Sequence, residues 1–163
     1  MKNSPKKLPA PSRNIRFAIS VLLCSTVLAA FAQSDGSDAR PPVTQADLRI
    51  AQRAREILNS PEKWSRADTR KCPAKAKVFS LYCALEKATD EVSRNFKHRG
   101  AAMQEARFVI EEVAPDWEKK YQHRLMDYNN DPTTTFADIQ KVFRLLEDRI
   151  AKRLAEEPPA RKK

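Results

Sequence analysis

An all-α fold is what this sequence predicts: a compact bundle of about five helices with flexible N-terminal and C-terminal tails. Three observations carry that expectation. Apolar residues recur at spacings of three and four through residues 44–155, the period of a helix with one buried face. No window alternates as a strand would, and the 163-residue chain has just two glycines. Residues able to cap a helix stand directly before the apolar stripes.

The first segment is unlike the rest. Lys2, Lys6, Lys7, Arg13 and Arg16 precede or enter an apolar run, Ile15 to Ala32, that holds no acidic residue and ends in Ala30-Phe31-Ala32. A basic start, an apolar middle and an Ala-x-Ala exit predict a signal peptide over residues 1–32, cleaved after Ala32. The expected location is then the bacterial periplasm or the outside of the cell. An uncleaved anchor is the alternative, with a run at the short edge of the ~20 residues that a spanning helix needs. Cys24 follows Leu22-Leu23 and not small residues, which speaks against lipid attachment. The leader also carries much of the charge. Taking its five basic side chains from 31 leaves 26 against 21 acidic ones, a net +5. Such a mixed surface makes nucleic acid an unexpected partner, and the membrane enters only through the leader.

Residues 33–43, QSDGSDARPPV, read as a flexible linker. The helical domain, 44–155, then opens with a capping box, Thr44 answered by Asp47, flanked by a Val43–Leu48 hydrophobic staple. Ile50, Ala51, Ala54, Ile57 and Leu58 form the first stripe, which Asn59-Ser60-Pro61 stops. Trp64 follows in a loop and is expected to fold onto the core. Leu81, Tyr82, Leu85, Ala88 and Val92 define a second helix. A third spans about Arg99 to Val113, with Met103, Ala106, Val109 and Ile110 inward, before Pro115. Asp116 is placed to cap a fourth, carrying Trp117, Tyr121, Leu125 and Tyr128. The fifth begins at Thr135 with Asp138 in reply. Phe136, Ile139, Val142, Phe143, Leu146, Ile150 and Leu154 hold its inner face, and Arg144, Glu147, Asp148 and Lys152 its outer one. Two prolines make 156–163 a disordered tail.

Beyond the leader the cysteines are Cys72 and Cys83. An oxidising compartment favours their pairing, under one geometric condition. On a single helix, eleven steps of 1.5 Å would separate their Cα atoms by roughly 16 Å, against about 4.4–6.8 Å in a disulfide. A Cys72–Cys83 bridge therefore requires the chain to fold back before a helix that starts near Phe79 or Ser80.

The order of these landmarks is similar to that of a known family. Ala54-Arg55-Glu56-Ile57-Leu58 with Pro61 and Trp64, then Cys83-Ala84-Leu85, then Tyr128-Asn129-Asn130-Asp131 with its threonines, resemble a group of small bacterial and phage proteins classed as a domain of unknown function. The resemblance spans roughly residues 48–150. It implies a compact helical domain and brings no activity, cofactor or catalytic residue. The leader and Cys72 are departures from it.

Candidate sites are sparse. The stretch LMDYNNDPTTTFAD, Leu125–Asp138, reads first as a joint: Asp131-Pro132 opens a turn, and Asn, Asp and Thr side chains can pair with backbone groups left open at helix ends. The functional alternative is a ligand-binding rim made of Asn130, Asp131 and Thr134 with His123. His123 and Asp127 share a helix face, but a metal would want a third ligand, so neither metal nor cofactor is expected. Cys83 with His123 and Asn130 matches a cysteine-protease set in residue type alone, and a bridged cysteine has no thiolate to offer. Arg94, Lys97, His98, Arg99 and Arg107 form the densest basic region. Lys119, Lys120 and Arg124 join it if helices three and four pack, and Glu105, Glu111, Glu112 and Glu118 interrupt it. The expectation is an exported, non-enzymatic domain that binds a protein partner in the bacterial envelope. A small hydrolase using His123, Asn130 and Asp131, and a polyanion-binding protein, are the alternatives.

Overall fold

The computed structural model describes residues 40–156. The expected signal peptide, most of the 33–43 linker and residues 157–163 of the tail lie outside the described residues. Six α-helices follow in order: α1 (Gln45–Ile57), α2 (Leu81–Ser93), α3 (Ala101–Val113), α4 (Trp117–Lys120), α5 (Arg124–Asn130) and α6 (Phe136–Glu156). A single 3-10 turn, Pro61–Lys63, follows α1. Among the described residues there is no strand, only an isolated parallel bridge between Trp64 and Phe79.

The termini form for the reasons the sequence offers. The Thr44 backbone N–H donates to Asp47 Oδ2 at 2.9 Å and the Asp47 N–H returns to the Thr44 hydroxyl, which closes the capping box. Thr135 and Asp138 repeat the arrangement at the start of α6. Val43 is buried, with Leu48 packed against the core. Residues 40–43 are held where the linker was expected to be free. The Pro41 carbonyl accepts from Arg153 at 3.2 Å, and the Arg40 guanidinium lies 4.4 Å from the Phe108 ring centre.

The expected fourth helix is two. Asp127 Oδ2 accepts from the backbone N–H groups of both Gln122 and His123, at 2.7 Å each. Those bonds satisfy the donors at a new helix start, so α5 begins afresh at Arg124. Tyr121 lies in extended backbone between the two pieces, its hydroxyl donating to Asp131.

α1 packs on α2 and α6, α3 on α6 and α5, and α5 on α2. Ala51, Ala54, Ala84, Ala88 and Ala106 are fully buried and let the backbones approach closely. Phe143, Leu58, Leu85, Ile110, Ile139, Leu146 and Ile150 fill the space that remains. A charged side chain lies among these helices. Glu105 is wholly buried on α3, and its carboxylate accepts from Arg149 Nε at 2.7 Å and from Arg153 Nη1, both on α6. The pairing compensates a charge whose burial would otherwise be prohibitive. It also ties α3 to the last turns of α6.

Candidate functional site: a cationic cleft

The polar joint ties off helix ends, as its composition suggests, and also reaches across the fold. Asp131 does close its own turn, accepting from the Thr133 N–H and hydroxyl. Asn129 and Asn130 reach instead to the loop between α1 and α2. Asn129, fully buried, accepts at Oδ1 from the Trp64 indole N–H (2.8 Å) and the Leu81 N–H (3.0 Å). Its amide donates to the carbonyls of Ser65 and Arg66. Asn130 accepts from the Asp68 N–H and donates to the Asp68 carbonyl at 2.8 and 2.9 Å, as a neighbouring strand would. Thr134 is buried, and its carbonyl accepts from Arg66. Asn130 of the expected rim, with its neighbour Asn129, is thus committed to holding a loop some sixty residues away, whose buried backbone needs partners.

That loop is closed twice more. The Ser65 N–H donates to the Phe79 carbonyl and the Phe79 N–H to the Lys63 carbonyl, at 2.9 and 2.8 Å. Cys72 and Cys83 form a disulfide with a Cα separation of 5.3 Å. The geometric condition is met as expected: Ser80 caps α2, which begins at Leu81, and the chain folds back ahead of it. Held this way, the loop carries Arg70 at a φ of 57°. That left-handed backbone is uncommon for a residue with a side chain. The Arg70 N–H donates to Asp68 Oδ1 at 2.7 Å and stabilises the turn.

Arg70 so presented stands at the edge of a cleft with about 140 Å³ of water-accessible space. Its wall brings together Arg70 from the loop, His98 and Arg99 from the approach to α3, Arg107 from α3, and His123 and Arg124 from the start of α5. No acidic residue lines it. Glu111 pairs with Arg124, while the Trp117 ring lies 4.2 Å from the same guanidinium. Two other glutamates expected to interrupt the basic region, Glu105 and Glu112, turn elsewhere, both meeting Arg149. Arg94, Lys97, Lys119 and Lys120 do not line the cleft; Lys120 pairs with Asp116 at 2.8 Å. Of the expected rim, His123 alone lies here, apart from Asn130, Asp131 and Thr134.

The protonation pattern follows from the donors. Arg107 Nη1 donates to the Gln104 carboxamide oxygen, and Nη2 meets both the carbonyl and ring Nε2 of His98, at 3.1 Å each. A guanidinium can only donate, so His98 Nε2 accepts, and the ring proton sits on Nδ1. There it faces the Tyr82 hydroxyl at 3.2 Å, which is also hydrogen-bonded to Glu86. Burial and then the charge of Arg107 hold the His98 imidazole below its usual range, so it is neutral at pH 7. Burial chiefly, and then the neighbouring Arg124, Arg99 and Arg70, lower the Arg107 guanidinium to about 10, against a partial offset from Tyr82. Arg107 is therefore a cation held among cations on neutral hydrogen-bond partners. Chemically, the cleft is suited to receive negative charge.

Fold and site together define a small all-α domain, stapled by one disulfide, with an arginine-lined cleft between α2, α3 and α5. The chain belongs to a family of unknown function, DUF6197, which it matches over residues 42–149. Comparison with curated proteins and with solved structures returns no match.

Proposed function

We propose that this protein is an exported, non-enzymatic binding domain of the bacterial envelope, and that its cleft grips an anionic group on a protein partner. The observation that carries the reading is the convergence of Arg70, Arg99, Arg107 and Arg124 on one concavity with no acidic residue in its wall. Basic walls around a low-dielectric recess concentrate field and attract anions. Export draws on the leader and on the Cys72–Cys83 bridge, a bond that suits an oxidising compartment. A hydrolase has less to draw on. Cys83 is bonded to Cys72, and Asn130 and Asp131 are occupied in the joint.

The test is a comparative capture from envelope extract with the wild-type chain and with Arg107→Gln as bait. A partner should be retained by the first, lost from the second and released as salt is raised. Equal recovery on both baits contradicts the reading. Polyanion binding, the second reading, draws on the same arginines. It requires log affinity to fall linearly with log salt at a slope of several units, whereas docking of a single anionic group gives a slope near one.

A further inference from the structure

We infer that the cleft is a receptor for a phosphate monoester in its dianionic form, an inference that rests on the reading of the cleft as an anion site. Three features point to this ligand class and away from a single carboxylate.

The first is charge. Four guanidinium groups border the recess, no acidic residue lines it, and Glu111 pairs with Arg124. A carboxylate ligand brings one negative charge. A phosphate monoester brings about −1.5 to −2 at pH 7 and three strongly accepting oxygens. The second is the sign of the donors. Arg107 uses three contacts, to Gln104 and to the carbonyl and ring of His98, out of five guanidinium N–H groups. The remaining donors, with those of Arg70 in the same wall, are of the forked kind that matches phosphate oxygens two at a time. His98, itself bonded to Tyr82, and Gln104 hold Arg107 in place.

The third is construction. The left-handed turn at Arg70 is held by the Asp68 carboxylate, by Asn130 on the Asp68 backbone, and by the disulfide two residues further on. Backbone in a sparsely populated region persists where its surroundings over-determine it, and such places cluster at ligand clamps. Here three independent restraints, from α5, from the loop itself and from α2, all serve to aim one arginine at the cleft.

A soluble monoester, the partner's included, and the headgroup of a lipid share this chemistry, and the experiment separates the two. Calorimetric titration of the full chain at pH 7.5 and constant ionic strength would use inorganic phosphate, glycerol 3-phosphate, dimethyl phosphate and acetate. The expected result is saturable binding of the first two, about tenfold or more tighter than the diester or acetate, since the second charge is answered by charge-assisted bonds. Arg107→Gln should abolish the preference. Arg70→Gln, at an exposed position where folding is not at stake, should weaken it by about tenfold. Sedimentation with vesicles of phosphatidic acid, compared with phosphatidylglycerol vesicles of equal surface charge, identifies the source. Retention on the first alone, lost in Arg107→Gln, means a lipid headgroup; equal retention together with glycerol 3-phosphate binding means a soluble monoester. Acetate or the diester binding as well as phosphate overturns the monoester inference and leaves the anion cleft standing. Binding of none of these anions overturns both.

Discussion

Asn129 offers a single carboxamide to the Trp64 indole, the Leu81 N–H and the carbonyls of Ser65 and Arg66, so one side chain secures both ends of a long loop. Truncating it leaves several buried polar groups unpaired, at about 1–3 kcal/mol each. Asn129→Ala should therefore lower stability in urea unfolding by more than about 3 kcal/mol. Thr135→Ala, which removes one exposed helix cap, should cost about 1 kcal/mol. Equal losses would mean that Asn129 is a turn residue and no more. His98 gives the second test at this scale. Its pKa is lowered in the folded state, so between that value and about 6.5 the unfolded chain binds more protons. The resulting stability is fully present above about 6.5 and is lost as pH falls through the folded value. The melting temperature should accordingly fall between pH 7 and pH 5 less steeply in His98→Gln than in the wild type. Glu86 and Glu147, whose carboxyls burial pushes up, give the opposite slope in both proteins, so the difference belongs to His98. Parallel curves would contradict the neutral, hydrogen-bonded imidazole.

Among the elements, α1 and α6 were legible almost to the residue, because capping boxes mark their starts and long apolar stripes mark their inner faces. The run from Trp117 to Tyr128 was not. Its apolar spacing suits one helix, but the Asp127 carboxylate collects two N–H groups and starts a second. Such a cap works backwards from four residues inside the helix and leaves no mark in periodicity. The loop between α1 and α2 was legible only where covalent geometry constrained it, at the fold-back that lets Cys72 meet Cys83. Closing a loop of this length contributes about 3 kcal/mol by chain entropy, less any strain. Cys83→Ser should thus lower the melting temperature clearly in oxidising buffer and much less in the presence of reductant. An equal loss in both buffers would assign that cysteine to packing alone.

For the whole molecule, sequence spacing identified the arginines of α3 and its approach and, conditionally, Arg124. It missed what makes them a site. Arg70 arrives from a loop whose position depends on Asn129, Asn130 and the disulfide, all remote in the chain. The glutamates that seemed to dilute the basic region at positions 105 and 112 are drawn off by Arg149, a pairing that emerges only when α6 packs on α3. The polar joint, whose first reading is a turn between helices, serves the scaffold, and the cleft it helps to shape gathers four arginines with no acidic residue in its wall. The most direct test of this account is a phosphate titration followed by NMR through the imidazole signals of His98 and His123 and the guanidinium Nε–H signals of the arginines. The account predicts saturable shifts confined to His98, His123, Arg70, Arg99, Arg107 and Arg124. Shifts spread over surface lysines and arginines without saturation, or none in the cleft, would contradict it.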